Sequence, residues 1–176
     1  MEVRIAGIEK ESVVDGPGLR FVIFSQGCPH LCPGCHNPHT HDPNGGRLVD
    51  IDEILTSIKQ AKLIRGVTFS GGEPFIQASL FALLAEQIKP LGLDIVTYSG
   101  FLFEQLVTKA SRDLGIRQLL AQIDILVDGP YRVAERDLGL AFRGSRNQRL
   151  VDVPRSLALE RIVLWEDKAA QQLQWA

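Results

Sequence analysis

The sequence predicts an α/β fold: a partial (β/α) barrel, or an open sheet, with parallel strands and a ligand site at their carboxyl ends. Two observations carry this. From residue 50 onward, short β-branched runs alternate with amphipathic stretches in the order helix, strand, helix, strand, the pattern of right-handed crossovers. In addition, 176 residues suffice for one domain with a real core and fall short of the ~250 of a closed eight-fold barrel. One domain over 1–176 follows.

The elements read in order. VRIAGI (3–8) is a short strand and LRFVIFSQG (19–27) a strong one, with the turn residues DGPG (15–18) between them. Residues 27–46 hold four Gly, four Pro, two Asn, four His and three Cys, a long irregular loop of the kind that carries function. IDEILTSIKQAK (51–62) then spaces Ile51, Ile54, Leu55 and Ile58 as one helical face, with Asp50 or Asp52 as its cap. GVTFSGG (66–72) is a buried strand ending in two glycines. A helix over 76–89 places Leu80, Leu83, Leu84 and Ile88 together. LDIVTYSG (93–100) is a strand, followed by helices over roughly 101–110 and 111–121, and IDILVDGPY (123–131) is the next strand. The tail WEDKAAQQLQWA (165–176) carries Trp175 and gives no clear element. In such a sheet ligands gather beyond the strand ends. One rim therefore receives the Cys loop, Gly71-Gly72-Glu73, Tyr98-Ser99-Gly100 and Asp128-Gly129.

Composition excludes several function classes. Apolar residues make up 45% and charged residues 23%, as in an ordinary globular protein, and the net charge of −2 argues against nucleic acid or an anionic membrane as partner. The first 18 residues lack the basic and apolar regions of a secretory signal, and no apolar run reaches the ~18–20 residues needed to cross a bilayer. A cytoplasmic protein is expected. There, three clustered cysteines point to metal or redox chemistry rather than to structural disulfides.

Those cysteines are Cys28, Cys32 and Cys35, in C-x3-C-x2-C spacing. Three fillings are open to them. A Cys3His zinc site would recruit His30, His36, His39 or His41, making the loop a non-catalytic interaction module. A redox pair would use Cys32-Pro33-Gly34-Cys35. An iron–sulfur cubane normally takes four cysteines, so three would leave one iron for a ligand that is not protein. Gly71-Gly72 at a strand end exposes backbone to close approach, and Glu73 suits a ligand ammonium group.

The cysteine motif followed by strand-end GGE resembles the radical S-adenosylmethionine enzymes. DGPGLRFVIFSQGC with CHNPHT looks like their glycyl-radical-enzyme activating branch, and LVDGPY, RDL and FRGSRNQRLVDV (142–153) resemble the subfamily that activates anaerobic ribonucleoside-triphosphate reductase. The resemblance spans about 12–153. It implies that Cys28, Cys32 and Cys35 hold a [4Fe-4S] cluster whose fourth iron binds S-adenosylmethionine. It implies a glycyl-radical reductase as partner and a flavodoxin-like electron donor; a formate-lyase type of partner is the neighbouring alternative. Residue by residue, Gly71, Gly72 and Glu73 match the motif for the cofactor's methionyl amine. Gly34, Cys35 and His36 match positions lining the adenine side of the loop, while Tyr98, Ser99 and Asp128 stand where relatives contact cofactor or a cation. No general base is implied, and no catalytic residue beyond cluster and cofactor. Gly34 precedes the third cysteine where the wider superfamily often has an aromatic residue, as in the reductase-activating subgroup. Arg143, Arg146 and Arg149, with Asn147 and Gln148, would either grip the partner or form a solvated strand, and DGPG would either meet the partner's glycine loop or only turn the chain.

A cubane cluster predicts brown protein with ~4 Fe per chain after anaerobic reconstitution. Colourless protein holding one tightly bound zinc would establish the interaction module instead.

Overall fold

In the computed structural model, which describes residues 1–166, the chain opens with an antiparallel pair, β1 (Glu2–Ser12) and β2 (Arg20–Ser25). The cysteine loop follows, then β3 (Arg47–Asp50), α1 (Ile51–Gln60), β4 (Gly66–Gly71) and α2 (Ala78–Ile88). Next come β5 (Asp94–Tyr98), α3 (Phe103–Ala110), α4 (Leu114–Gln122), β6 (Ile125–Asp128), β7 (Arg149–Asp152) and α5 (Val153–Ala158). Trp175 and the rest of 167–176 lie outside the described residues. No helix among the described residues is long and apolar enough to cross a membrane.

The strands form one seven-stranded sheet in the order β3-β1-β2-β4-β5-β6-β7. Its centre is parallel, β2 to β4 to β5 to β6, as the helix–strand alternation requires. Its flanks are antiparallel, and β3 and β7 do not meet, so the sheet is not closed. Neither flanking strand was visible in the sequence. Each has four residues with one fully buried side chain, too little to show a period of two. β1 is longer than 3–8 because its polar half, exposed at Glu9–Glu11, is held by ladder bonds to β2 rather than by burial.

The helices form where their apolar spacing places them. Asp50 is the cap of α1, its carboxylate accepting from the Asp52 N–H at 2.8 Å, and Ile51, Ile54, Leu55 and Ile58 are buried. α2 starts at Ala78 because Pro74–Gln77 make a 3-10 turn first. Its buried face is Phe81, Leu84, Ala85 and Ile88, with Leu80 and Leu83 half-buried at the border. These helices cover one face of the sheet, against Phe21, Ile23, Val67, Phe69 and Ile95.

The other face carries the alternate residues: Arg20, Val22 and Phe24 on β2, Thr68 and Ser70 on β4, Val96 and Tyr98 on β5. No helix covers it. Arg20, with no solvent exposure, anchors its lower end. The guanidinium donates to Thr68 Oγ1 (2.9 Å), the Val67 carbonyl (2.7 Å) and the Pro17 carbonyl (3.3 Å), and pairs with Asp94. Thr68 in turn donates to the Asp15 carbonyl at 2.8 Å. This fastens the 13–19 connection across the lower half of the face and leaves the upper half, at the strand ends, open. Gly16 (φ +131°) lies where a Cβ would stand 3.2 Å from Val96, so the connection lies flat.

Replacing Arg20 by Met keeps roughly the volume and removes the donor to Thr68, to the carbonyls of Pro17, Val67 and Asp94, and to the Asp94 carboxylate, which retains Arg65. Unfolding in urea should show a loss of about 3 kcal/mol, the penalty for breaking a buried ion pair from one side. An unchanged midpoint would mean that the 13–19 connection is held by something else.

Candidate cofactor site

β2 and β4 run in register to their ends, Ser25 opposite Gly71, and the pairing continues past them. The Gly72 N–H donates to the Ser25 carbonyl and the Glu73 N–H to the Gly27 carbonyl, both at 2.8 Å. Two constraints make glycine necessary here. Gly71 has φ +87°, and a Cβ on Gly72 would lie 2.3 Å from the Gly27 carbonyl oxygen. The glycine pair thus lets the chain after β4 lie against the base of the cysteine loop.

The loop is closed at that base. Gly27 N–H donates to the Thr40 carbonyl (2.8 Å) and Cys28 N–H to the His41 carbonyl (3.1 Å), while Gln26 Nε2 donates to the carbonyls of His39 (3.2 Å) and Asp42 (2.7 Å). Within it, Leu31 (φ +47°) and Gly34 (φ +73°) bend the chain, and the Cys35 N–H donates to the Cys32 carbonyl at 3.1 Å. Asn37 N–H points at Cys35 Sγ at 3.4 Å. Cys28, Cys32 and Cys35 are free thiols, each half-buried. Burial pushes the Cys28 thiol up from its usual value, so a thiolate there needs a cationic partner.

All three cysteines line one cavity of about 360 Å³ with the Gly71-Gly72 backbone, Tyr98, Ser99, Gly100 and His36. That volume lies within the ~300–1,000 Å³ of small-molecule sites. The sequence reading named these residues. Asp15, Phe24, Ser70, Tyr131 and Gln148 line the cavity as well and were not assigned to it. Phe24 and Ser70 follow from strand alternation once the open face is known. Tyr131 enters from a turn 60 residues downstream of β4, and only the tertiary fold brings it there. Its ring lies 4.9 Å from that of His36, tilted by 46°. Tyr98 reaches across to donate its hydroxyl to the Phe142 carbonyl at 2.7 Å, and burial raises its phenol well above the usual range.

Three of the named residues stand behind the cavity rather than on its wall. Gly34 is exposed at the tip of the loop. Asp128, fully buried, accepts from the Phe103 N–H (2.8 Å) and forms a two-pronged ion pair with Arg149, which also holds Glu104 at 2.8 Å. Glu73, also fully buried, accepts from Ser99 Oγ (3.0 and 3.1 Å), the N–H groups of Gly100 (2.9 Å) and Phe75 (3.1 Å), and His30 Nε2 (2.8 Å). The basic segment is paired within the chain, with Arg146 on the surface. Arg149 is paired as above, Arg146 meets Asp137 at 3.0 Å, and Arg143 Nη1 donates to the Gln148 carbonyl at 3.1 Å.

The donor set fits an iron–sulfur cluster. Three half-buried thiols face one cavity, the number that leaves one iron of a cubane without a protein ligand. Among the described residues, no three His, Cys, Asp or Glu side chains converge closely enough to hold a single metal ion.

Comparison with known proteins agrees with this donor set. Residues 14–151 match the family described as a 4Fe-4S single cluster domain. The anaerobic ribonucleoside-triphosphate reductase-activating protein of Vibrio cholerae is 36% identical over 144 residues, 77% of this chain and 89% of that protein. Proteins of the same name from Escherichia coli K12 (31%, 77% of this chain, 90% of that protein) and phage T4 (33% over 150 residues, 78% and 86%) are also similar. The chain therefore belongs to the family of anaerobic ribonucleoside-triphosphate reductase-activating proteins, built on a 4Fe-4S single cluster domain.

Proposed function

We propose that this chain is an enzyme that activates an anaerobic ribonucleoside-triphosphate reductase, with a [4Fe-4S] cluster on Cys28, Cys32 and Cys35 and S-adenosylmethionine as its cosubstrate. One observation carries the reading: three free thiols share a cavity with a glycine backbone rim, in a chain of this family. When bound, the cluster supplies a low-potential electron to cleave S-adenosylmethionine reductively, and the resulting 5′-deoxyadenosyl radical takes a hydrogen atom from a backbone glycine of the reductase.

The residues of this chain bind, orient and shield. Gly71 and Gly72 offer backbone at a place where no side chain can intervene. Glu73 lies beneath that rim; its lone pairs hold Ser99 and Gly100, and its charge favours a ligand ammonium group in front of them. His36 and Tyr131, tilted 46° to each other, each offer a ring face on which adenine can stack. Gly34, at φ +73°, bends the loop immediately before Cys35, and Asp128 holds the α3 end of the rim through Phe103 and Arg149. The 13–19 connection closes the site from below, keeping water from the reacting centre. Arg143 and Arg149 shape the 130–149 excursion, while Arg146 stands on its surface, where a partner can reach it. A flavodoxin-like donor and a cytoplasmic location complete the reading, since the chemistry needs a reducing compartment.

Electron paramagnetic resonance of the reduced, reconstituted protein should show a cluster signal that changes when S-adenosylmethionine is added. A signal indifferent to the cofactor would refute the open iron. Replacing Cys28, Cys32 or Cys35 by Ala should abolish iron binding, whereas His39→Ala and His41→Ala should retain ~4 Fe per chain. Supplied with candidate reductases, the enzyme should form a glycyl radical on the ribonucleotide reductase; radical on a formate-lyase type of partner alone would reassign it.

The cluster should also order the loop. Limited proteolysis within 27–46 is expected to be slower in holo than in apo protein, and equal rates would count against a loop organised by its cluster.

A further inference from the structure

We propose that His30 is a positioning residue that fixes the cysteine loop against the cofactor rim by donating to Glu73; the inference rests on the cofactor reading above. Its Nε2 stands 2.8 Å from Glu73 Oε2, and a ring nitrogen facing a carboxylate donates to it. Among the described residues, this is the only hydrogen bond by which segment 29–36 reaches the rest of the fold; the others within the loop close turns or lie at its base.

The ring is seated as well as bonded. It meets Phe101 edge-on, with centroids 4.5 Å apart and planes at 74°. It also passes directly over Gly100, where a Cβ would lie 2.3 Å from His30 Cδ2. Residue 100 must therefore be glycine for the imidazole to reach its acceptor. The same carboxylate holds Ser99 Oγ and the Gly100 N–H, so the loop and the β5 end of the rim converge on one buried group.

His30 lies two residues after Cys28 and two before Cys32. Its anchor sets where the thiols stand relative to Gly71, Gly72 and Ser99, all of which border the same cavity. Sites of this kind tolerate errors of only about half an ångström before function suffers. Nε2 is engaged by Glu73, and His30 is assigned to holding the loop; iron retention in His30→Phe separates this role from ligation through Nδ1.

Two variants separate the hydrogen bond from the packing. His30→Phe keeps a ring beside Phe101 and loses the donor; His30→Gln restores a donor at similar reach. In the apo protein, hydrogen–deuterium exchange across 28–36 should speed up by on the order of tenfold in His30→Phe, as loss of a hydrogen bond to a charged group implies. Exchange in His30→Gln should stay close to wild type. After reconstitution His30→Phe should still hold ~4 Fe per chain. Its affinity for S-adenosylmethionine, titrated through the change in the cluster's paramagnetic signal, should drop by about tenfold and recover in His30→Gln. Wild-type exchange and affinity in His30→Phe would overturn the proposal, as would a His30→Gln variant no better than His30→Phe. If the wild-type signal ignores the cofactor, the cofactor reading fails, and the exchange measurement still decides whether the anchor exists.

Discussion

A carboxylate with no solvent exposure has to be satisfied inside the protein, and around Glu73 that requirement joins three separate pieces of chain. Its own turn supplies the Phe75 N–H, the end of β5 supplies Ser99 and Gly100, and the cysteine loop supplies His30. Burying a charge among so many donors is tolerable because each is a strong, directed partner. The geometry of the rim follows. Glu73 can reach these groups only because the Gly71-Gly72 pair lets the chain run against the Gly27 carbonyl, where a Cβ would collide.

A second buried charge works at the opposite end of the same open face. Arg20 links β2, β4 and β5 through Thr68, Val67 and Asp94, and it clamps the 13–19 connection through Pro17. An open sheet with helices on one side only would otherwise leave its other face to water. Arg20 and the 13–19 connection cover the lower half, while the 130–149 excursion, tied down by Asp128–Arg149 and Tyr98–Phe142, flanks the upper half. What stays open between them is the cavity beside the cysteines. A binding site at the carboxyl ends of parallel strands is thus shaped by irregular chain placed on a regular scaffold.

The cysteine loop has little regular structure of its own beyond a three-residue 3-10 turn at Pro38–Thr40. Its base is closed by backbone bonds to Thr40 and His41 and by Gln26, and its middle is held by the His30 side chain. Between these fixtures the thiols are presented half-buried, shielded enough to tune a cluster and open enough to leave room for a second ligand.

Much of this was legible beforehand, because it depends on local chemistry. Helical periodicity placed α1 and α2, since the spacing of Ile51, Ile54, Leu55 and Ile58 already states which face is buried. Three cysteines in eight residues announced a thiolate site, and two glycines followed by Glu announced a strand-end turn that the structure brings to the same rim. Only the tertiary structure decided the rest, for the reason that side chains far apart in sequence had to meet. β3 and β7 form because β1 and β6 offer them edges, not because four residues prefer to be strands. Glu73 and Asp128 are fully buried, held by partners 26 and 21 residues away that no local pattern announces. The sequence by itself determined which atoms are available to hold a cluster. Folding determined which donors and acceptors satisfy one another first, and therefore which remain to face the cavity.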